Sequence, residues 1–163
     1  MVNAGIITVS DKGYAGQRAD ESGAEIKRIL SGSGHIVSEY VIVPDEEDII
    51  YSQILRMSDE LRLELVLTTG GTGFSKRDVT PEATLRAITR NAPGICEAIR
   101  QNSLAITRRA MLSRAVSGIR GETLIVNLPG SPKAVRESLE FALDSIEHGV
   151  QILKGVAVEC ARK

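Results

Sequence analysis

Four short apolar runs, separated by stretches with helical spacing, limit the fold of this chain more than any other feature. They predict β-strands at AGIITVS (4–10), HIVSEYVIVP (the 36–45 region), LELVLTT (63–69) and TLIVNLPG (123–130), and Ala115–Ile119 is a shorter strand-like piece. Nearly continuous apolar runs are typical of strands that are buried on both faces. Strands that alternate with helices predict a mostly parallel sheet with helices on both of its faces.

The helices between these strands are predicted from the residues that begin them. The predicted N-caps are Ser22, in a capping box with Glu25, Asp45 ahead of the second helix, Thr80 ahead of Pro81, and Ser131 ahead of Pro132. A further helix is predicted from about Pro93, and the long last helix is expected to end near Gly155.

The size and charge of the chain restrict its organisation and its partners. The 163 residues contain no repeat and no linker, so we expect a single domain over 1–163. The formal net charge is −1 and no basic stripe stands out, which argues against a nucleic-acid partner. No apolar run approaches the roughly 20 residues that a membrane span needs, and no signal peptide is visible.

The cysteines and histidines are too scattered to indicate a metal centre. Cys96 and Cys160 are far apart and fit a reducing cytosol better than a disulfide framework, so we predict a cytoplasmic location. His35 and His148 are equally isolated, and a His/Cys metal site is therefore not expected. We interpret Cys96 as a packed helix position.

The least ordinary loops all follow predicted strands. In parallel sheets of this kind, ligands bind at the carboxyl ends of the strands. That rule brings four loops to one edge: Ser10-Asp11, Pro44-Asp45, the turn at 70–73, and Pro129-Gly130-Ser131.

The turn at 70–73 leaves two interpretations open. Gly70, Gly71 and Gly73 permit positive φ, so successive amides can point outward together and bind an anion, with Thr72 and Ser75 adding hydroxyls. The pattern matches neither the P-loop nor the dinucleotide-binding fingerprint. The alternative is a tight strand-to-helix turn that needs glycine for steric reasons alone.

Two aspartates near this edge also have two interpretations. Asp78 precedes a predicted helix start, where a carboxylate favours the helix dipole, and Asp45 is a good N-cap. Alternatively both are ligands of Mg²⁺, which prefers a few carboxylates together with waters and substrate phosphates. Their shared sheet edge with a phosphate-binding turn favours a site that reacts with a nucleotide.

Several motifs, in order and nearly from end to end, resemble the family of MogA-type molybdopterin adenylyltransferases and the related plant and animal G domains. The motifs are TVSD (8–11), PDE (44–46), TTGGTGF…RDVTPEAT (68–84), PG (93–94), MLSRAVSGIRG (111–121) and NLPGSP (127–132). The RDVTPE block also separates the chain from the MoaB-like branch, in which those residues are altered.

The resemblance implies a fold, a reaction and an assembly. The expected fold is a three-layer α/β/α structure with the MogA-like molybdopterin-binding topology. The expected reaction transfers AMP from ATP to the terminal phosphate of molybdopterin, releases pyrophosphate and depends on Mg²⁺. A homotrimer is implied, as is handover of the product to a molybdenum-insertion enzyme.

The resemblance also assigns residues. Asp45 and Asp78 match the catalytic carboxylates around the metal, and the positions matching the nucleotide and molybdopterin site are Ser10, Asp11, Thr69, Gly70, Gly71, Thr72, Gly73, Thr80, Pro81, Ser113, Arg114, Pro129, Gly130 and Ser131. Arg114 is the expected guanidinium for transition-state charge. The alternatives are a molybdopterin carrier without chemistry and a small nucleotide-binding regulator.

Overall fold

The computed structural model describes residues 1–156, so Cys160 lies outside the described part of the chain. The strands are β1 Asn3–Val9, β2 Ile36–Val43, β3 Leu65–Thr69, β4 Arg90–Asn91, β5 Ser117–Arg120 and β6 Thr123–Leu128. The helices are α1 Asp11–Tyr14, α2 Glu21–Gly32, α3 Glu47–Leu55, α4 Thr80–Ala87, α5 Gly94–Leu104 and α6 Pro132–Leu153. A π-helical turn, Arg56–Glu60, extends α3, and a 3₁₀ helix covers Arg108–Leu112.

The strands form one six-stranded sheet in the order β2-β1-β3-β6-β5-β4. The pairs β1–β2, β1–β3 and β3–β6 are parallel, whereas β5 pairs antiparallel with both β6 and β4. The mostly parallel sheet predicted from the sequence is therefore confirmed, and the antiparallel pairs are confined to one side. The carboxyl ends of β1, β2, β3 and β6 all meet at one edge.

Two apolar clusters, one on each face of the sheet, confirm the three-layer arrangement. Ile6 of β1 and Leu67 of β3 lie in one cluster with residues of α2, α5 and α6. Their neighbours Ile7 and Val66 lie in the other cluster with residues of α3 and α4. Successive side chains of a strand point to opposite faces, so strands covered on both sides need the continuous apolar runs seen in the sequence.

Of the four predicted N-caps, those at Ser22, Asp45 and Thr80 are wrong and that at Ser131 is confirmed. Helix α2 is capped by Asp20, which accepts from the amide of Gly23 (2.9 Å), and Ser22 lies inside the helix. Helix α4 begins at Thr80 with Val79 as its N-cap, so Thr80 is the first helical residue. Ser131 caps α6 as predicted, accepting from the amide of Ala134 at 3.2 Å.

Glu25 joins α2 to α6 through an ion pair with two arginines. Its Oε1 accepts from Nε of Arg136 (2.6 Å) and from Nη2 of Arg28 (2.8 Å). The Arg28 hydrogen bond, followed by that of Arg136, lowers the pKa of Glu25 to about 2. A carboxylate whose pKa is lower in the folded protein than in the unfolded chain stabilises the fold at pH values above the unfolded pKa, here 4.5. This contribution is lost as the pH falls from 4.5 to about 2.

We therefore expect acid unfolding to respond to Glu25→Gln. As the pH falls from 4.5 to about 2, the stability of the wild type should decrease more steeply than that of the variant. The reason is that only the wild type takes up a proton at this position when it unfolds. Urea unfolding at several pH values measures the slopes. Glu97→Gln, at an exposed glutamate of α5, is the control and should keep the wild-type slope. Equal slopes for wild type and Glu25→Gln would contradict the assignment.

Cys96 packs in the core as predicted. It is 2% exposed and its thiol lies 3.6 Å from the carbonyl oxygen of Asn127. Burial raises the pKa of the Cys96 thiol. Within residues 1–156, no helix is both long enough and apolar enough to cross a bilayer.

Candidate active site

A cavity of about 530 Å³ opens where the carboxyl ends of the parallel strands meet. All four predicted loops contribute to it: the lining includes Ser10, Asp45, Thr69, Gly70, Gly71, Asp78, Gly130 and Ser131. The remaining predicted site residues lie outside the lining, and they are Asp11, Thr72, Gly73, Thr80, Pro81, Ser113, Arg114 and Pro129. The sheet-edge rule thus located the loops correctly, but only half of the predicted side chains or backbone positions face the cavity.

The turn after β3 needs glycine for steric reasons. Gly70 has φ of +93°, and a Cβ there would lie 2.3 Å from the carbonyl oxygen of Val9. Gly71 has φ of +65°, and a Cβ there would lie 2.4 Å from Oγ1 of Thr80. The steric interpretation of the turn is therefore correct for both residues. It is compatible with anion binding, because the same bare backbone lines the cavity.

We expect Gly70→Ala to destabilise the fold by at least about 2 kcal/mol, because it adds backbone strain to a clash with a β1 carbonyl. Urea unfolding measures the loss. Gly16→Ala is the matched control, since Gly16 also has positive φ (+72°) but no atom within 4 Å of the added carbon. Similar losses of stability in the two variants would contradict the claim that position 70 requires glycine because its backbone approaches Val9.

Asp45 does not cap α3, so the capping interpretation of this residue is wrong. The N-cap position belongs to Glu46, without a side-chain hydrogen bond. Instead, Oδ2 of Asp45 accepts from the amide of Asp11 (2.8 Å), and Oδ1 faces Gly71, 3.3 Å from where a Cβ would lie. Burial raises the pKa of Asp45, and the nearby charges of Asp11 and Asp78 raise it further. A partly buried carboxylate among like charges favours a bound cation.

Asp78 folds back onto its own turn. The amide of Ser75 donates to Oδ2 of Asp78 (3.0 Å), and the amide of Asp78 donates to the carbonyl of Ser75 (3.0 Å). A Cβ at Gly73 would lie 2.9 Å from the same Oδ2, so this glycine leaves room for the carboxylate. Asp45 and Asp78 therefore approach the glycine turn from two different loops and face one cavity.

Thr80 supports the glycine turn from α4. Its hydroxyl donates to the carbonyl of Gly70 (2.9 Å) and its amide donates to the carbonyl of Gly71 (3.1 Å). Thr80 is fully buried, and Pro81 beside it is also buried. Both residues shape the site from behind rather than by contact with the cavity.

Arg114 also supports the turn from outside. Its Nε donates to the carbonyl of Gly73 (2.8 Å), its Nη2 donates to the carbonyl of Asp78 (2.6 Å), and its Nη1 pairs with Glu82. The neighbouring Ser113 accepts from Arg100 through its carbonyl group (3.1 Å). A transition-state role for Arg114 stays a prediction, and this geometry favours a structural role instead.

The PGS loop packs directly against the glycine turn. The hydroxyl of Thr69 donates to the carbonyl of Pro129 (2.7 Å), and a Cβ at Gly130 would lie 3.4 Å from Cα of Gly70. The close backbone approach places the N-terminus of α6 beside the turn. Two amide-rich segments therefore border the same cavity.

One wall of the cavity was not predicted from the sequence. It is formed by Arg18 and Asp20, which precede α2, and by Ser22 in the first turn of α2. Asp20 accepts from Gly23 and from the hydroxyl of Tyr40. Its position two residues before Ser22 could have identified it as a competing N-cap. No pattern in the sequence marks Arg18.

The carboxylates that line the cavity limit which metals the site could hold. Residues 1–156 contain no group of three or more His, Cys, Asp or Glu side chains arranged to hold a metal ion. Asp45 and Asp78 offer two carboxylates to the cavity. This donor set fits Mg²⁺, which is usually bound by one or two carboxylates together with substrate phosphates and waters.

A family model described as "Probable molybdopterin binding domain" matches residues 5–148. The chain belongs to this family. The matched residues include every loop of the cavity, and the resemblance found in the sequence motifs is confirmed.

Named relatives are similar to this chain over almost its whole length. The molybdopterin adenylyltransferase of Helicobacter pylori strain J99 is 40% identical over 156 residues, which cover 94% of this chain and 89% of that protein. The molybdopterin adenylyltransferase of Escherichia coli K12 is 39% identical over 171 residues, covering 96% and 88%.

Solved structures confirm the fold. The molybdopterin biosynthesis enzyme MoaB from Thermus thermophilus is 46% identical, with a TM-score of 0.90 over 95% of this chain and 98% of that one. Names from both branches that the RDVTPE block distinguishes therefore occur among the similar proteins.

Proposed function

We propose that the chain is a molybdopterin adenylyltransferase of molybdenum cofactor biosynthesis. It transfers AMP from ATP to the terminal phosphate of molybdopterin and releases pyrophosphate. The observation that carries this proposal is the convergence of Asp45 and Asp78 on the glycine turn, in a chain 40% identical to an enzyme of that name. A binding module without chemistry has no need for two carboxylates beside a phosphate site.

The reaction requires two anions to approach each other. An oxygen of the molybdopterin phosphate attacks the α-phosphorus of ATP, and the bond from that phosphorus to the oxygen bridging the β-phosphate breaks, with pyrophosphate as the leaving group. The phosphate nucleophile is already ionised, so no general base is needed. Positioning and charge stabilisation therefore supply the rate enhancement.

The residues of the turn and of the two acidic loops have separate roles. Amides at Gly70 and Gly71 and at the start of α6 bind phosphate oxygens, because both segments line the cavity. Asp45 and Asp78 would hold Mg²⁺, which would supply positive charge against the triphosphate and the leaving pyrophosphate. Arg18 is the cation of the described cavity lining, so it is placed to contact one of the phosphates.

The assembly and location belong to the same proposal. A homotrimer is proposed from the family resemblance, and the exposed apolar side chains of Ile106 (52% exposed) and Met111 (63% exposed) would suit a contact between subunits. Handover of the adenylylated product to a molybdenum-insertion enzyme and a cytoplasmic location complete the proposed role.

One assay tests the proposed activity. Pyrophosphate release is measured after mixing the protein with molybdopterin, ATP and Mg²⁺, and then with each component omitted in turn. The proposal expects release only in the complete mixture. Molybdopterin binding without any release would instead support a carrier, and ATP binding without molybdopterin binding would support a nucleotide-binding regulator.

A further inference from the structure

One guanidinium joins three of the loops that form the cavity. Nε of Arg77 donates to Oδ2 of Asp11 (3.0 Å), and Nη2 donates to Oδ1 of the same carboxylate (2.9 Å). The Nη2 atom also lies 2.9 Å from Oε1 of Glu46. Arg77 follows the glycine turn, Asp11 follows β1 and Glu46 follows β2, so this ionic contact spans the ends of three strands.

Asp11 is in turn locked to Asp45 by two reciprocal hydrogen bonds. The amide of Asp11 donates to Oδ2 of Asp45 (2.8 Å), and the amide of Asp45 donates to Oδ1 of Asp11 (3.0 Å). The Oδ1 atom of Asp11 therefore accepts from both Arg77 and Asp45. A movement of the Asp11 backbone would carry away the donor that fixes the Asp45 carboxylate.

The ion pair between Arg77 and Asp11 is too exposed for its placement to be explained by a gain in stability. The side chain of Arg77 is 51% exposed and that of Asp11 is 45% exposed, and ion pairs this accessible contribute little to stability. Its geometry is nevertheless bidentate, which fixes direction as well as distance. Asp11 also lies outside the cavity lining, so direct contact with a ligand does not account for its placement.

We propose that Arg77 and Asp11 are positioning residues, which orient the Asp45 carboxylate toward the glycine turn before the metal and nucleotide bind. The inference rests on the proposed function for its consequence, because an oriented Asp45 matters for binding the Mg²⁺ complex of ATP. The brace itself, defined as Arg77, Asp11 and Asp45, exists without any ligand. Removal of hydrogen bonds that orient a metal-binding side chain lowers metal affinity by about 10- to 100-fold.

The first measurement uses the ligand-free protein. Hydrogen exchange of the Asp11 amide, followed by NMR, is compared in wild type, Arg77→Ala, Arg77→Lys and Arg86→Ala. Arg86 is the matched control, since it is similarly exposed (46%) and pairs with Glu47 and Asp48. Arg77→Ala should lower protection of the Asp11 amide about three- to tenfold, the range of one hydrogen bond. Arg77→Lys should lower the protection of the Asp11 amide as well, because an ammonium group cannot donate the two parallel hydrogen bonds that the guanidinium donates to Asp11.

The second measurement follows the affinity for the Mg²⁺ complex of a non-hydrolysable ATP analogue by calorimetry. Arg77→Ala and Asp11→Asn should each weaken it about tenfold, and the double variant should be no more than about twofold weaker than either, because the two residues act in one chain. Additive losses would show independent ligand contacts and would overturn the brace.

The two measurements separate this inference from the proposed function. Unchanged Asp11 protection in Arg77→Ala would overturn the brace even if the protein releases pyrophosphate normally. Conversely, a protein without molybdopterin-dependent pyrophosphate release but with reduced Asp11 protection in Arg77→Ala would keep the brace and reject the adenylyltransferase.

Discussion

Replacing Asp78 with asparagine is expected to lower the turnover of pyrophosphate release at least about 100-fold, the size of effect seen when an electrostatic group is lost. Asparagine keeps the shape of the side chain and an oxygen that can accept from the amide of Ser75. The turn should therefore remain folded, while the negative charge that faces Asp45 and the cavity is removed. The loss is expected in turnover rather than in stability.

Steady-state pyrophosphate release at saturating molybdopterin, ATP and Mg²⁺ measures this effect, and thermal unfolding checks the fold. Asp59→Asn is the matched control, since Asp59 pairs with Arg120 away from the cavity. Near-normal turnover in Asp78→Asn would remove Asp78 from the mechanism.

Asp45→Ala is expected to reduce turnover by a similar factor, at least about 100-fold. The stability loss should be small, about 1 kcal/mol, because the variant leaves the amide of Asp11 without its acceptor but removes a partly buried charge. The residue does not cap α3, so its removal should leave that helix intact.

Turnover and the free energy of unfolding in urea are measured on the same Asp45→Ala sample. Asp48→Ala is the control, because Asp48 lies in the first turn of α3, is 88% exposed and pairs with Arg86. A large loss of stability together with intact turnover would return Asp45 to a purely structural role.

Strand positions and the sheet edge were predictable because both follow from short-range patterns. Continuous apolar runs such as Leu65–Thr69 have to be buried on both faces, and parallel strands place their following loops together. Helix starts were less predictable where several residues could cap. Asp20 and Ser22 both suit an N-cap, and Thr80 is drawn into α4 by hydrogen bonds to the glycine turn.

Contacts between distant residues account for what the sequence did not predict. Strand β4 has only two residues, Arg90 and Asn91, and depends on pairing with β5 rather than on a pattern of its own. Arg114 was expected at the substrate, whereas its guanidinium contacts the carbonyls of Gly73 and Asp78 and the carboxylate of Glu82. The contact between Arg77 and Asp11 joins residues 66 positions apart, which no local motif encodes.

A crystal structure with Mg²⁺ and a non-hydrolysable ATP analogue tests the central claim most directly. We predict the triphosphate against the backbone of Gly70 and Gly71, with the metal ion between it and the carboxylates of Asp45 and Asp78. A triphosphate bound away from this turn, or a metal ion that contacts neither aspartate, would contradict the account.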